Sequence, residues 1–139
     1  MTFGLGAEQD VMGHVLVVDD DNLFLQVVCR ALQMDGLTAI PARNGEEALA
    51  KINKSRPMLV LLDLVMPGMD GLTLLRTLRL EKETADIPVI IFSATTTEKI
   101  VEKALALGAN AVLLKTRFSI AELRKMVKEC VSKTLGEAA

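Results

Sequence analysis

LVLLDLVMPGMDG, residues 59–71, holds a whole structural unit in one short stretch. Leu59–Leu62 is a continuous apolar run, the pattern of a strand buried on both faces of a parallel sheet. Asp63 ends that run. Pro67, Gly68, Asp70 and Gly71 then turn the chain, and Asp70 is placed to cap a helix over Gly71–Leu80. A strand that delivers an acid into a turn and returns through a helix is one βα unit.

The same unit recurs on both sides. Further apolar runs lie at Val15–Val18, Leu37–Ile40, Val89–Phe92 and Ala111–Leu114. Leu37–Ile40 is the most polar of the five and suits a sheet edge. Between them lie amphipathic segments with helix start signals. Asn22 is placed to cap a helix through about Met34, with Phe24, Val27, Val28, Ala31 and Leu32 facing inward. Asn44 precedes Glu46 and Glu47, acids favoured in a first turn, and Ala48, Leu49 and Ile52 form the apolar stripe. A helix from about Thr97 to Leu107 buries Ile100, Val101, Ala104 and Leu105, and Gly108 supplies its stop. Ser119 with Glu122 forms a capping box for the last helix, with a staple between Phe118 and Leu123. Five strand–helix repeats imply right-handed crossovers and helices on both faces of one parallel sheet. The fold class is α/β. One domain is expected over residues 1–139, with a core at about 14–134 and loose ends at 1–12 and 135–139.

Composition narrows the function. Sixteen Lys and Arg against eighteen Asp and Glu leave a net charge of −2. That balance argues against a nucleic-acid surface, which needs clustered positive charge. Without Trp or Tyr and with four Phe, the chain also lacks the stacking platforms that hold single strands. Cys29 and Cys130 sit far apart among apolar residues, without zinc or redox spacing, and read as small buried hydrophobes in a reducing compartment. No run reaches membrane-spanning length, and the first thirteen residues lack signal-peptide character. A cytoplasmic protein is expected.

The informative residues follow the strands, because ligands of open α/β sheets gather beyond the carboxyl ends. After the first strand come Asp19, Asp20 and Asp21. The third ends in Asp63, the fourth in Ser93 and the fifth in Lys115. Crowded carboxylates repel, and a hard divalent cation such as Mg²⁺ resolves the repulsion while leaving positions for phosphate oxygens. A cation, an ammonium and a hydroxyl are what a transferring phosphoryl group needs. A central carboxylate can be the nucleophile. Alone, Asp19–Asp21 could be a solvated cap, Ser93 a capping hydroxyl and Lys115 a surface lysine; together they form a set. His14 precedes the first strand, at the opposite end of the sheet, and is read as non-catalytic.

VLVVDDD (15–21), LVLLDLVMPGMDG (59–71), VIIFSA (89–94) and LLK (113–115), in that order, resemble the receiver domains of two-component response regulators. The resemblance covers about residues 14–134. It implies a flavodoxin-like (βα)5 sandwich with strand order 2-1-3-4-5. It also implies phosphorylation of Asp63, with Mg²⁺ held by Asp20, Asp63 and the Val65 carbonyl and with Asp19 acting through water. Ser93 and Lys115 would contact the phosphoryl oxygens, and Ala94 would keep access open. The partners implied are a histidine kinase or histidine phosphotransfer protein and a downstream effector protein or domain. The domain would speed its own phosphorylation and hydrolysis but act as a switch rather than a metabolic enzyme.

The chain departs from the family pattern in places. Thr116 stands where proline usually follows the lysine, and Arg117 is one residue extra. A cis bond before threonine costs roughly 2.5–4 kcal/mol, so a trans Lys115–Thr116 peptide is expected. Val112 occupies a position often aromatic, so activation by a ring flip is unavailable. Val65 and Thr95, flanking the reaction path, are not the polar pair of a fast self-dephosphorylating regulator. Three rivals remain. A haloacid-dehalogenase-type phosphatase would need a second Asp where Val65 stands. A flavin module would need a hydroxyl-rich loop in place of Asp19–Asp21. A receiver-shaped interaction module that has lost phosphorylation is the third.

Overall fold

The computed structural model describes residues 13–94 and 96–138, with side chains through residue 135. The five apolar runs become β1 (Val15–Val18), β2 (Ala39–Ala42), β3 (Leu59–Leu62), β4 (Val89–Ser93) and β5 (Ala111–Leu114). The helices are α1 (Asn22–Met34), α2 (Gly45–Lys54), α3 (Gly71–Leu80), α4 (Glu98–Ala106) and α5 (Ile120–Ala138). The strands form one parallel sheet in the order β2-β1-β3-β4-β5, as expected.

Alternation along the strands divides the core in two, since successive side chains point to opposite faces. Leu16, Val18, Val60, Leu62, Val89 and Ile91 pack against α2, α3 and α4 through Ala48, Ile52, Leu74, Leu75, Leu78 and Ala104. Val15, Val17, Leu59, Leu61, Ile90 and Phe92 pack against α1 and α5 through Leu25, Val28, Leu32, Leu123 and Val127. Both faces are covered, which is why the strands read as unbroken apolar runs.

Several boundaries differ from expectation. β2 begins two residues later than Leu37, because Leu37 belongs to the end of α1. Gly36, at φ +82°, donates to the Gln33 carbonyl while the Leu37 N–H reaches the Leu32 carbonyl, which is a Schellman stop. Asp21, not Asn22, caps α1, accepting from the Leu23 and Phe24 N–H groups. The buried face of α1 is Leu25, Val28, Cys29 and Leu32. Val27 is exposed and Phe24 and Ala31 are half-buried, because α1 carries two overlapping apolar stripes and its orientation on the sheet selects one. In α4, Ala104 is buried, Ile100 and Val101 are half-buried, and Leu105 is exposed. α5 continues to Ala138 rather than loosening at 135. Residues 1–12 lie outside the described residues.

Other local signals act as read. Asn44 and Asp70 cap α2 and α3. The Ser119 and Glu122 side chains exchange hydrogen bonds with each other's N–H groups. Gly108, at φ +98°, stops α4. Cys29 and Cys130 are not joined in a disulfide; the first is buried and the second half-buried. No helix among the described residues is long and apolar enough to cross a membrane.

Candidate functional site: an acidic cleft at the carboxyl edge of the sheet

Parallel pairing sets the floor of the cleft. The Asp63 N–H donates to the Val18 carbonyl and the Asp19 N–H to the Ala42 carbonyl, so both acids leave the sheet at the same level. The Lys115 N–H donates to the Ser93 carbonyl at 2.8 Å, which brings the ends of β4 and β5 alongside. The chain then loops back. Gly71 donates to the Leu64 carbonyl, and a Cβ there would fall against the Asp63 carbonyl oxygen and 2.7 Å from the Leu64 Cα. Only glycine allows this approach of α3 to the strand end.

Carboxylate oxygens of Asp19, Asp20 and Asp63 all lie within 4.8 Å of one another. Asp19 and Asp63 are buried, and Asp20 is exposed at the mouth. The Lys115 ammonium sits 2.5 Å from Asp19 Oδ2 and 3.8 Å from Asp63 Oδ2. The buried Ser93 hydroxyl hydrogen-bonds the Asp63 carboxylate. The Val65 N–H lies 3.5 Å from Asp63 Oδ1 while its side chain projects into solvent, 67% exposed.

Burial pushes the Asp63 carboxyl above its ordinary value, and the Asp19 charge pushes the same way. Lys115, the Ser93 hydroxyl and the Val65 N–H pull it back. Asp63 is thus an anion held at a cost, with like charge beside it. A hard cation among these oxygens would relieve that cost, and the all-oxygen donor set suits Mg²⁺.

Asp19, Asp20, Asp63, Ser93 and Lys115 therefore converge, Val65 offers backbone alone, and Asp21 is spent on capping α1. Ala94 is exposed beside Ser93, and Thr95 lies outside the described residues. The peptide between Lys115 and Thr116 is trans, no cis bond occurring among the described residues. Arg117 closes the turn by donating to the Leu114 carbonyl, so the extra residue gives the loop room for an ordinary peptide. His14 is buried ahead of β1, at the far end of the sheet. One residue at the site was read only as core. Phe24 places its ring 4.0 Å, centroid to nitrogen, from the Lys115 ammonium.

The chain is 34% identical over 120 residues to the phosphate regulon transcriptional regulatory protein PhoB of Pseudomonas aeruginosa, covering 86% of this chain and 52% of that protein. It spans about half the length of the curated relatives it matches. Among solved structures, the chemotaxis protein CheY4 of Vibrio cholerae superposes with a TM-score of 0.78 at 30% identity, covering 85% of this chain and 98% of that one. A Francisella response regulator receiver domain superposes at 0.79 with 34% identity, covering 88% and 98%. Residues 15–128 match the response regulator receiver domain family, and the chain belongs to that family, a signalling domain of two-component systems.

Proposed function

We propose that Asp63 accepts a phosphoryl group from a partner's phosphohistidine and that the resulting acyl phosphate switches the domain's surface. The observation that carries this is the convergence of Ser93 and Lys115 on one buried carboxylate. An Asp63 oxygen attacks phosphorus, the phosphorus–nitrogen bond of the donor breaks, and the imidazole leaves with the electron pair. The Lys115 ammonium and the Ser93 hydroxyl hold two of the phosphoryl oxygens. Asp20, Asp63 and the Val65 carbonyl would hold Mg²⁺, with Asp19 acting through water, and the bound ion would offset the charge gathering on phosphate and carboxylates.

Phosphorylation then biases an equilibrium between two arrangements of the face formed by α4, β5 and α5. Ser93 leads directly into the loop before α4, so its turn toward the phosphoryl group is the first movement. The partner is a histidine kinase or a phosphotransfer protein, and the output passes to an effector protein or domain. Cys29 and Cys130, which form no disulfide, fit a cytoplasmic setting.

Beryllofluoride with Mg²⁺ stands in for the phosphoryl group and tests this without a kinase. Amide spectra should shift at Asp63, Ser93 and Lys115 and along α4 on titration. Spectra that do not change at saturating beryllofluoride favour an interaction module that has lost phosphorylation.

A further inference from the structure

Resting on the phosphoacceptor reading, we infer that Phe24 is a positioning residue, whose ring holds the Lys115 ammonium in the acidic cleft. Lysine carries its charge on a flexible four-carbon stem, and two anions alone leave the third side of that charge open to water. Here that side is closed. Lys115 Nζ lies 2.5 Å from Asp19 Oδ2, 3.8 Å from Asp63 Oδ2 and 4.0 Å from the Phe24 ring centroid. The lysine side chain is 18% exposed, so the ring replaces water against a largely desolvated cation, the setting in which cation–π attraction is strongest.

The ring is itself fixed from two directions. The Phe24 backbone N–H, in the first turn of α1, donates to the Asp21 cap. The face of the ring meets Phe92 at 5.7 Å between centroids, tilted by 36°. Phe92 is buried in β4 immediately before Ser93. α1 and the end of β5 thereby meet on one ammonium, with β4 behind the ring. The contact of Phe24 with the site is to the ammonium, so its effect passes through where Lys115 sits. The ring keeps the amine on the side of Asp19 and Asp63 as the charge moves from carboxylate to phosphoryl oxygen.

The test uses the folded chain with acetyl phosphate and Mg²⁺, and compares Phe24→Leu, Phe24→Met and Phe24→Tyr. Leucine and methionine keep apolar bulk and lose the π face; tyrosine keeps it. Loss of the ring should slow labelling about three- to tenfold, the range that a partly desolvated cation–π contact commands, and Phe24→Tyr should restore the rate to within about twofold. In a Lys115→Ala background, Phe24→Leu should change nothing further. Independently of phosphate, the Lys115 ε-methylene protons should lie upfield of the other lysines through the ring current, and move downfield in Phe24→Leu. An unshifted Lys115 methylene, equal labelling of wild type with both apolar variants, or equal slowing with and without Lys115 overturns the role of Phe24. If wild type takes no phosphate, the reading of Asp63 fails instead, and the ring-current shift alone decides whether Phe24 holds Lys115.

Discussion

The Lys115 ammonium rests 2.5 Å from Asp19 Oδ2, closer than the 3.8 Å that separates it from Asp63 Oδ2. The amine therefore stands where a divalent cation's charge would also be felt, and the two compete for the same anions. At 4 Å a unit charge pair is worth about 1 kcal/mol in water, and a divalent ion doubles that. Asp20→Asn should consequently weaken Mg²⁺ binding by about tenfold or more, and Lys115→Ala should strengthen it severalfold. Isothermal titration of Mg²⁺ into the two variants checks both signs. An unchanged affinity in Asp20→Asn removes that residue from the ligand set.

The close approach of α3 to the site makes Gly71 a structural requirement. An added methyl meets backbone of Asp63 and Leu64 rather than a yielding side chain. Overpacking of this kind costs about 1–3 kcal/mol, and here the atoms displaced belong to the phosphoacceptor itself. Gly71→Ala should lower the melting temperature and also slow acetyl phosphate labelling. A variant that labels at the wild-type rate would mean that the loop gives way without moving Asp63.

How far the residues foretold this arrangement depends on distance along the chain. The βα alternation was legible because both sheet faces are covered, so four of the strands carry little but Val, Ile and Leu. The caps at Asn44, Asp70 and Ser119 were legible because a cap and its N–H partners lie within three residues. The trans peptide before Thr116 followed from the cost of its alternative. β2 was misplaced by two residues because Leu37 serves a helix stop while looking like a strand residue. The face of α1 was misread because Val27 and Ala31 continue the apolar pattern, and only the sheet decides which stripe is covered. Nothing in the spacing could link Phe24 to Lys115, which lie in different units and meet only when α1 and β5 flank the same cleft.

An ion pair also ties α1 to α5. Asp35, at the end of α1, accepts from Arg124 Nε at 2.9 Å and Nη2 at 2.7 Å, and Lys128 Nζ lies 3.9 Å away. The hydrogen bonds from Arg124 hold its carboxyl below the ordinary value of 3.8. As pH falls, the unfolded chain therefore takes up the proton first. The contribution of the pair is whole above 3.8 and is lost as pH drops through the depressed folded value. Asp35→Asn should melt below wild type at neutral pH, with the gap closing on acidification through that range. A gap independent of pH would show that the carboxylate charge is not what holds the helices.

Val112 bears on how the signal leaves the site. It is half-buried in β5, packed against the core under α2, α3 and α4, and has no ring to rotate. On binding beryllofluoride, amide shifts should concentrate at Ser93, Ala94, Thr96 and Thr97, with the Val112 side chain keeping its rotamer. Val112→Ala should then leave these shifts in place. Their loss in that variant would return position 112 to the signalling path.

The central claim is that Asp63 is the phosphoacceptor, and intact-mass analysis after incubation with acetyl phosphate and Mg²⁺ tests it most directly. Wild type should gain the mass of one phosphoryl group, and should gain none when Mg²⁺ is chelated beforehand. Asp63→Asn keeps the shape of the side chain but removes the attacking carboxylate, and should gain none. Equal labelling of wild type and Asp63→Asn would place the phosphoryl group elsewhere and contradict the account.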